Sequence, residues 1–192
     1  YSMKDLVDDL EAVMVDANVR RAHLVGCGLG GCVALAAARH TNRAQSLTLI
    51  GTPASGDAFE PSALRANPAD TAALRESTTG LLSTAFCGDH PEVVDQIVDW
   101  RAEEDATPGA QQAQQAAIEG FDAGPLYELT LPSFVVAGGD DSVVDSGASQ
   151  QLAEGLPRGD FYTFSEAGHL LTVERSAALN DEVVGFIEST AD

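Results

Sequence analysis

Residues 23–40, HLVGCGLGGCVALAAARH, pass from an apolar strand through a cluster of glycines into an alanine-rich, helix-favouring stretch. A glycine turn between strand and helix can serve two chemistries. Gly26, Gly28 and Gly31 satisfy G-x-G-x-x-G, in which backbone N–H groups at a helix N-terminus bind a pyrophosphate. The same kind of turn can instead present a reactive group and an N–H donor to a carbonyl. The dinucleotide motif expects an acidic residue about 20 positions on, at the end of the next strand, to hold ribose hydroxyls. Here that strand ends LTLIGTPA (47–54), with no acid. A dinucleotide-binding Rossmann domain is therefore the weaker of the two readings.

The elements that must hold this turn follow from hydrophobic spacing. Ser2 with Asp5 marks a helix N-terminus, and Leu6, Val7, Leu10, Val13, Met14 and Ala17 recur at helical spacing behind it. RAHLVGC (21–27) reads as a strand, followed by the glycine turn, a helix from about Gly31 to His40 and the strand SLTLI (46–50). From about Asp57 to Pro125 strand signals vanish and alanine, glutamine and acids dominate. The last helix of this stretch is started by Thr107 and Pro108. Strands return with PSFVVAGG (132–139) and DFYTF (160–164), separated by a helix at 149–156. A final helix runs from about Glu174 to Ser189. Near-continuous apolar strands alternating with helices predict an α/β, doubly wound, mostly parallel sheet. The spacing divides the chain into a core at 1–56 and 126–192 and a helical insertion at 57–125.

Charge narrows the partners. The formal net charge is −20 over 192 residues, and Lys4 is the only lysine. Nucleic acid and anionic membrane surfaces are poor partners, because counterion release needs cations. Acids spread over helical segments with almost no lysine match proteins of salt-loving organisms, whose self-repulsion salt screens. Cys27, Cys32 and Cys87 are odd in number and lack metal-ligand spacing, against both a disulfide framework and structural zinc. No leader and no apolar run near the length of a membrane span, about 18 residues, appears in the sequence. The expected location is the cytoplasm.

The stretch AHLVGCGLGGCVALAAARHTNRAQSLTLIGTPA resembles the nucleophile-elbow region of the α/β-hydrolase family, in which G-x-S-x-G sits on a sharp strand-to-helix turn. Gly26, Cys27, Gly28, Leu29 and Gly30 occupy the five places. The resemblance continues through FDAGPLYELTLPSFVVAGGDD, where the family re-enters its sheet after a helical cap, and through SEAGHLLTVERSAALNDEVVGFI, its histidine loop and last helix. It implies Asp141 as triad acid, with Asp140 as its neighbouring rival and Asp145 as a helix cap. It also implies His169 as base and the Leu29 N–H as oxyanion donor. No cofactor and no metal is implied. The departure is at the third place of the elbow, where Gly28 leaves a vacant nucleophile position. Cys27 points elsewhere in so tight a turn and is expected to be a small, partly buried packing residue, as is Cys32.

A resemblance to cofactor-free ester or enol-lactone hydrolases implies a small ester, lactone or carboxylate as ligand, with the insertion as a lid. Three functions follow as expectations. One is a hydrolase that has lost serine chemistry, one a His/Asp enzyme acting by base catalysis alone, and one a non-catalytic small-ligand binder. The family's front strands and oxyanion loop have no counterpart ahead of Tyr1, so the chain is expected to be a fragment. Strand 22–27 would then carry a bare edge prone to self-association.

Overall fold

The computed structural model describes residues 1–104 and 106–190, so residue 105 of the insertion and the last two positions of the segment 126–192 lie outside the description. Ser2 opens α1 (Met3–Asp16), its backbone N–H and hydroxyl both donating to Asp5 Oδ2 at 2.7 and 2.9 Å. Val7 and Met14 are the buried residues of this helix, which packs on α2 (Leu29–His40). Of the stripe that predicts α1, Leu6, Val7, Leu10 and Met14 turn inward, whereas Val13, 66% exposed, and Ala17 face solvent.

Four strands, β1 (Ala22–Cys27), β2 (Ala44–Ile50), β3 (Ser133–Gly138) and β4 (Gly159–Phe164), form one parallel sheet in the order β1-β2-β3-β4. Every residue of β3 is buried, as expected of a central strand covered on both faces. On one face α2 and α7 (Ser146–Gly155) pack Leu35 and Leu152 against Leu24, Leu47, Leu49 and Val135. On the other, Ile50, Phe134 and Val136 meet Leu171 of α8 (Leu171–Glu174) and Leu179 of α9 (Ser176–Thr190). Each fully buried leucine or valine here contributes about 1.5–3 kcal/mol on leaving water. β1 lies at one edge of the sheet, with Val25 half exposed.

Between β2 and β3 the chain forms helices at Thr71–Gly80 (α3), Thr84–Asp89 (α4), Pro91–Glu104 (α5) and Pro108–Glu119 (α6). Thr107 Oγ1 accepts from the Ala110 N–H at 3.4 Å with Pro108 in the first turn, which starts α6 where the sequence places it.

Several boundaries differ from the sequence reading, among them the start of α7, at Ser146 rather than 149. α2 begins at Leu29 rather than near Gly31, because Gly28 is its N-cap and its carbonyl accepts from the Gly31 and Cys32 N–H groups at 3.0 and 3.2 Å. β2 begins at Ala44, paired to Ala22 across an irregularity in the β1 register. The C-terminal helix is broken at Arg175, which leaves helical geometry at φ −129° while its guanidinium donates to the Glu166 carbonyl at 2.7 Å.

Candidate active site

The turn after β1 is fixed by contacts that admit no side chains. A Cβ at Gly26 would stand 2.3 Å from the Gly30 carbonyl oxygen, and one at Gly31 would stand 1.9 Å from Thr52 Oγ1. Gly30, the last place of the five-residue elbow pattern, faces open space, so close packing here rests on Gly31. Gly28 has φ +52° and ψ −118°, outside the basins that L residues favour, and it joins strand to helix within one residue. The Leu29 N–H, first in α2, makes no hydrogen bond among the described residues. It is one of the orphan donors that a helix start leaves for a ligand.

Over this turn stands His169. A Cβ added at Gly28 would lie 3.3 Å from His169 Nε2 and 3.6 Å from Cε1. The ring's other nitrogen, Nδ1, is 2.9 Å from Asp141 Oδ2. A carboxylate only accepts, so Nδ1 donates, and Nε2 is left with its lone pair toward Gly28. Asp141 Oδ1 accepts from the Val143 and Val144 N–H groups at 2.8 and 2.9 Å, so both carboxylate oxygens are engaged. The His169 side chain is 9% exposed and that of Asp141 0%, while Asp140 is exposed. Of the two neighbouring aspartates, Asp141 meets the imidazole. Asp145 caps α7, accepting from the Gly147 N–H at 2.9 Å.

Three supports of this pair escaped the sequence reading. Gly51, at φ +52° just past β2, leaves the space the pair occupies: its Cβ would sit 3.1 Å from Asp141 Oδ2 and 3.2 Å from His169 Nδ1. The His169 N–H donates to the Leu81 carbonyl at 2.8 Å, tying the loop to the end of α3. Glu174, buried, accepts from the Gly168 and Ser83 N–H groups at 2.8 and 3.1 Å, joining the same loop to the segment that leads into α4. A glycine closing an apolar strand was the available signal for Gly51. Glu174 read only as the start of the last helix, and nothing local marks it otherwise.

A cavity of about 520 Å³ opens from Gly28 and His169. Phe59, Leu64, Ile97, Trp100 and Ile118 give it an apolar wall, contributed by the segment between β2 and β3. Arg65, exposed, brings a cation to the same cavity, and the Arg101 guanidinium, which also lines it, donates to Ser77 Oγ, Thr78 Oγ1 and the Leu64 carbonyl. Cys27 lines it too and is exposed, which corrects its assignment as a partly buried packing residue; Cys32 is fully buried. Of the predicted site residues, the fold brings Gly28, Leu29, Asp141 and His169 to one end of the sheet, beyond the C-termini of β1, β3 and β4.

Residues 1–176 match the alpha/beta hydrolase fold family. The chain belongs to that family. The Rossmann alternative is thereby set aside. The hydrolase chain is 27% identical to a candidate carbamate hydrolase RutD from Variovorax paradoxus, over 97% of this chain and 73% of that protein. It is 26% identical to the 2-hydroxymuconate semialdehyde hydrolase of Pseudomonas sp. strain CF600, over 97% of this chain and 69% of that one. Among solved structures, the enol-lactonase of Burkholderia xenovorans LB400 superposes with a TM-score of 0.83 at 25% identity, over 98% of this chain and 74% of that one. Among the described residues of this hydrolase, no helix is long and apolar enough to cross a membrane, and no cluster of three or more His, Cys, Asp or Glu could hold a metal ion.

Proposed function

We propose that this α/β hydrolase acts on small carboxylic esters or enol lactones through His169 and Asp141 as a general-base pair, without a covalent acyl-enzyme. The observation that carries this reading is the oriented imidazole: Nε2 faces Gly28 at 3.3 Å from a would-be Cβ, while Nδ1 is held by a fully engaged Asp141. With glycine at 28 there is no side-chain oxygen to attack, so ordinary serine hydrolysis is absent. Water between Nε2 and the substrate carbonyl gives its proton to His169 as its oxygen bonds to the acyl carbon. The Leu29 N–H faces the developing oxyanion, and Asp141 steadies the imidazolium. His169 then returns the proton to the departing oxygen.

The apolar cavity favours an uncharged acyl or enol portion, and relatives named as hydrolases and an enol-lactonase support a small carbonyl substrate. We assign residues 57–125 as the cap over that cavity and 1–56 with 126–192 as the core. No cofactor enters this scheme.

The test is hydrolysis of p-nitrophenyl acetate and of dihydrocoumarin by the wild type, His169→Gln and Asp141→Asn. Slow wild-type turnover that falls in both variants by about 10²–10⁴-fold is expected, since that is what a positioned base supplies. Rates equal to those of the variants would overturn the proposal. A ligand-induced rise in Tm without turnover would instead identify a small-molecule binder.

A further inference from the structure

Removing the side chain at the elbow does more than delete a nucleophile. It leaves an unfilled position in contact with the base and open to the cavity, bounded by His169 Nε2 at 3.3 Å, His169 Cε1 at 3.6 Å and Phe59 Cε2 at 3.9 Å from the missing Cβ. One boundary is a proton acceptor and another is an aromatic ring lying edge-on to the imidazole at a centroid distance of 6.3 Å. A group that satisfies both carries a hydroxyl on one side and a hydrocarbon on the other. Water has only the first. A small primary alcohol has both, and it is the untethered form of the missing side chain. Lacking a bond to the Cα, it must stand further out than a serine oxygen would, at van der Waals distance, and the open cavity allows this.

From this we infer that the site takes small primary alcohols as acyl acceptors at the position vacated beside Gly28, making the protein an alcohol-dependent acyl transferase as well as a hydrolase. The inference rests on the base-pair reading above and goes beyond it by naming a second substrate. The step balances without an acyl-enzyme. The alcohol oxygen bonds to the acyl carbon of the ester while its proton passes to His169 Nε2. The bond from that carbon to the departing oxygen then breaks, and His169 returns the proton to that oxygen. One ester and one alcohol enter, one ester and one alcohol leave, and nothing is oxidised or reduced.

Burying one methyl favours an acceptor over water by about fourfold, and a second methylene repeats the gain while space lasts. A branched alcohol places carbon where the imidazole edge and the bare Cα already stand. Size therefore separates a built position from bulk solvent.

The experiment uses the unmodified chain with phenyl acetate in buffer containing methanol, ethanol or 2-methyl-2-propanol at equal molarity. Alkyl acetate and acetate are quantified by gas chromatography, and the same mixtures catalysed by free imidazole serve as reference. We expect a methyl acetate to acetate ratio about fourfold above the reference, a larger excess with ethanol and none with 2-methyl-2-propanol. Gly28→Ala, whose Cβ occupies the position, should abolish the excess. Should that variant fail to fold because of its positive φ, the alcohol series on the unmodified chain carries the test alone. Ratios equal to the reference for all three alcohols, with His169-dependent hydrolysis intact, would overturn this inference and leave the base-pair reading standing. Absence of any His169-dependent ester consumption would overturn both.

Discussion

Restoring serine at position 28 asks whether the elbow is an intact seat. In Gly28→Ser the new Cβ stands 3.3 Å from His169 Nε2, and its Oγ, one bond further, falls within the hydrogen-bond reach of about 2.6–3.2 Å that an activated nucleophile needs. Two magnitudes follow. A non-glycine residue at φ +52°, ψ −118° costs about 1–3 kcal/mol. At about 2–4 °C per kcal/mol for a chain of this size, Tm should fall by about 2–12 °C. Against that, a held nucleophile reaches effective molarities of about 10⁵ M. Set against the water that the unmodified chain uses, at roughly 55 M, this gives a gain of at least about 10² in ester turnover. The assay is stopped-flow release of p-nitrophenol from p-nitrophenyl acetate, with mass spectrometry of the quenched enzyme. A burst and an acetyl adduct on residue 28 are expected, both lost when His169→Gln is added. A folded Gly28→Ser protein showing neither would refute the placement of Gly28 at the nucleophile position.

Glu174→Ala removes a buried carboxylate that accepts from the Gly168 and Ser83 N–H groups, so urea unfolding should show a loss of about 3 kcal/mol; a loss below about 1 kcal/mol would mean the loop is held otherwise. Burial raises the Cys32 thiol from 9.0 to about 12. Below pH 9 it is protonated in both folded and unfolded chains and its stabilisation is complete. As pH rises from 9 toward 12 only the unfolded chain ionises freely, so stability falls by about 1.4 kcal/mol per unit. Cys32→Ala should remove that share of the slope between pH 8.5 and 10, as read by urea titration, and an unchanged slope contradicts the burial argument. With a formal net charge of −20, Tm should rise as NaCl goes from about 0.1 to 1 M and the screening length drops from about 10 to 3 Å. A flat or falling Tm ends the salt-adaptation reading. β1 lies at an edge of the sheet with Val25 half exposed, so sedimentation should reveal concentration-dependent association. A monomer with full hydrogen-exchange protection over residues 22–27 would show that the edge is not used.

The strands at 46–50 and 133–138 were legible because a parallel strand buried on both faces must be apolar almost throughout, and the glycine turn because a helix starting directly on a strand end needs residues without Cβ atoms. The order of glycine turn, aspartate and histidine came from the resemblance to the α/β-hydrolase family, with each placed just past a strand. What the chain alone left open were matters of distance. Asp141 rather than Asp140 meets His169 because the loop after β3 turns one carboxylate inward, onto two N–H groups of its own backbone, and leaves the other in solvent. Glu174, which fastens the loop of the pair, sits at a position whose type carries no local signal, and Gly51, which clears space for the pair, was marked only as a glycine closing an apolar strand. Cys27 is exposed although the apolar run around it suggests burial, because its strand lies at an edge of the sheet. Local chemistry specifies where a strand ends and how sharply it turns. Only packing, which brings residues 28, 51, 141, 169 and 174 together across more than a hundred positions of chain, specifies which ends meet.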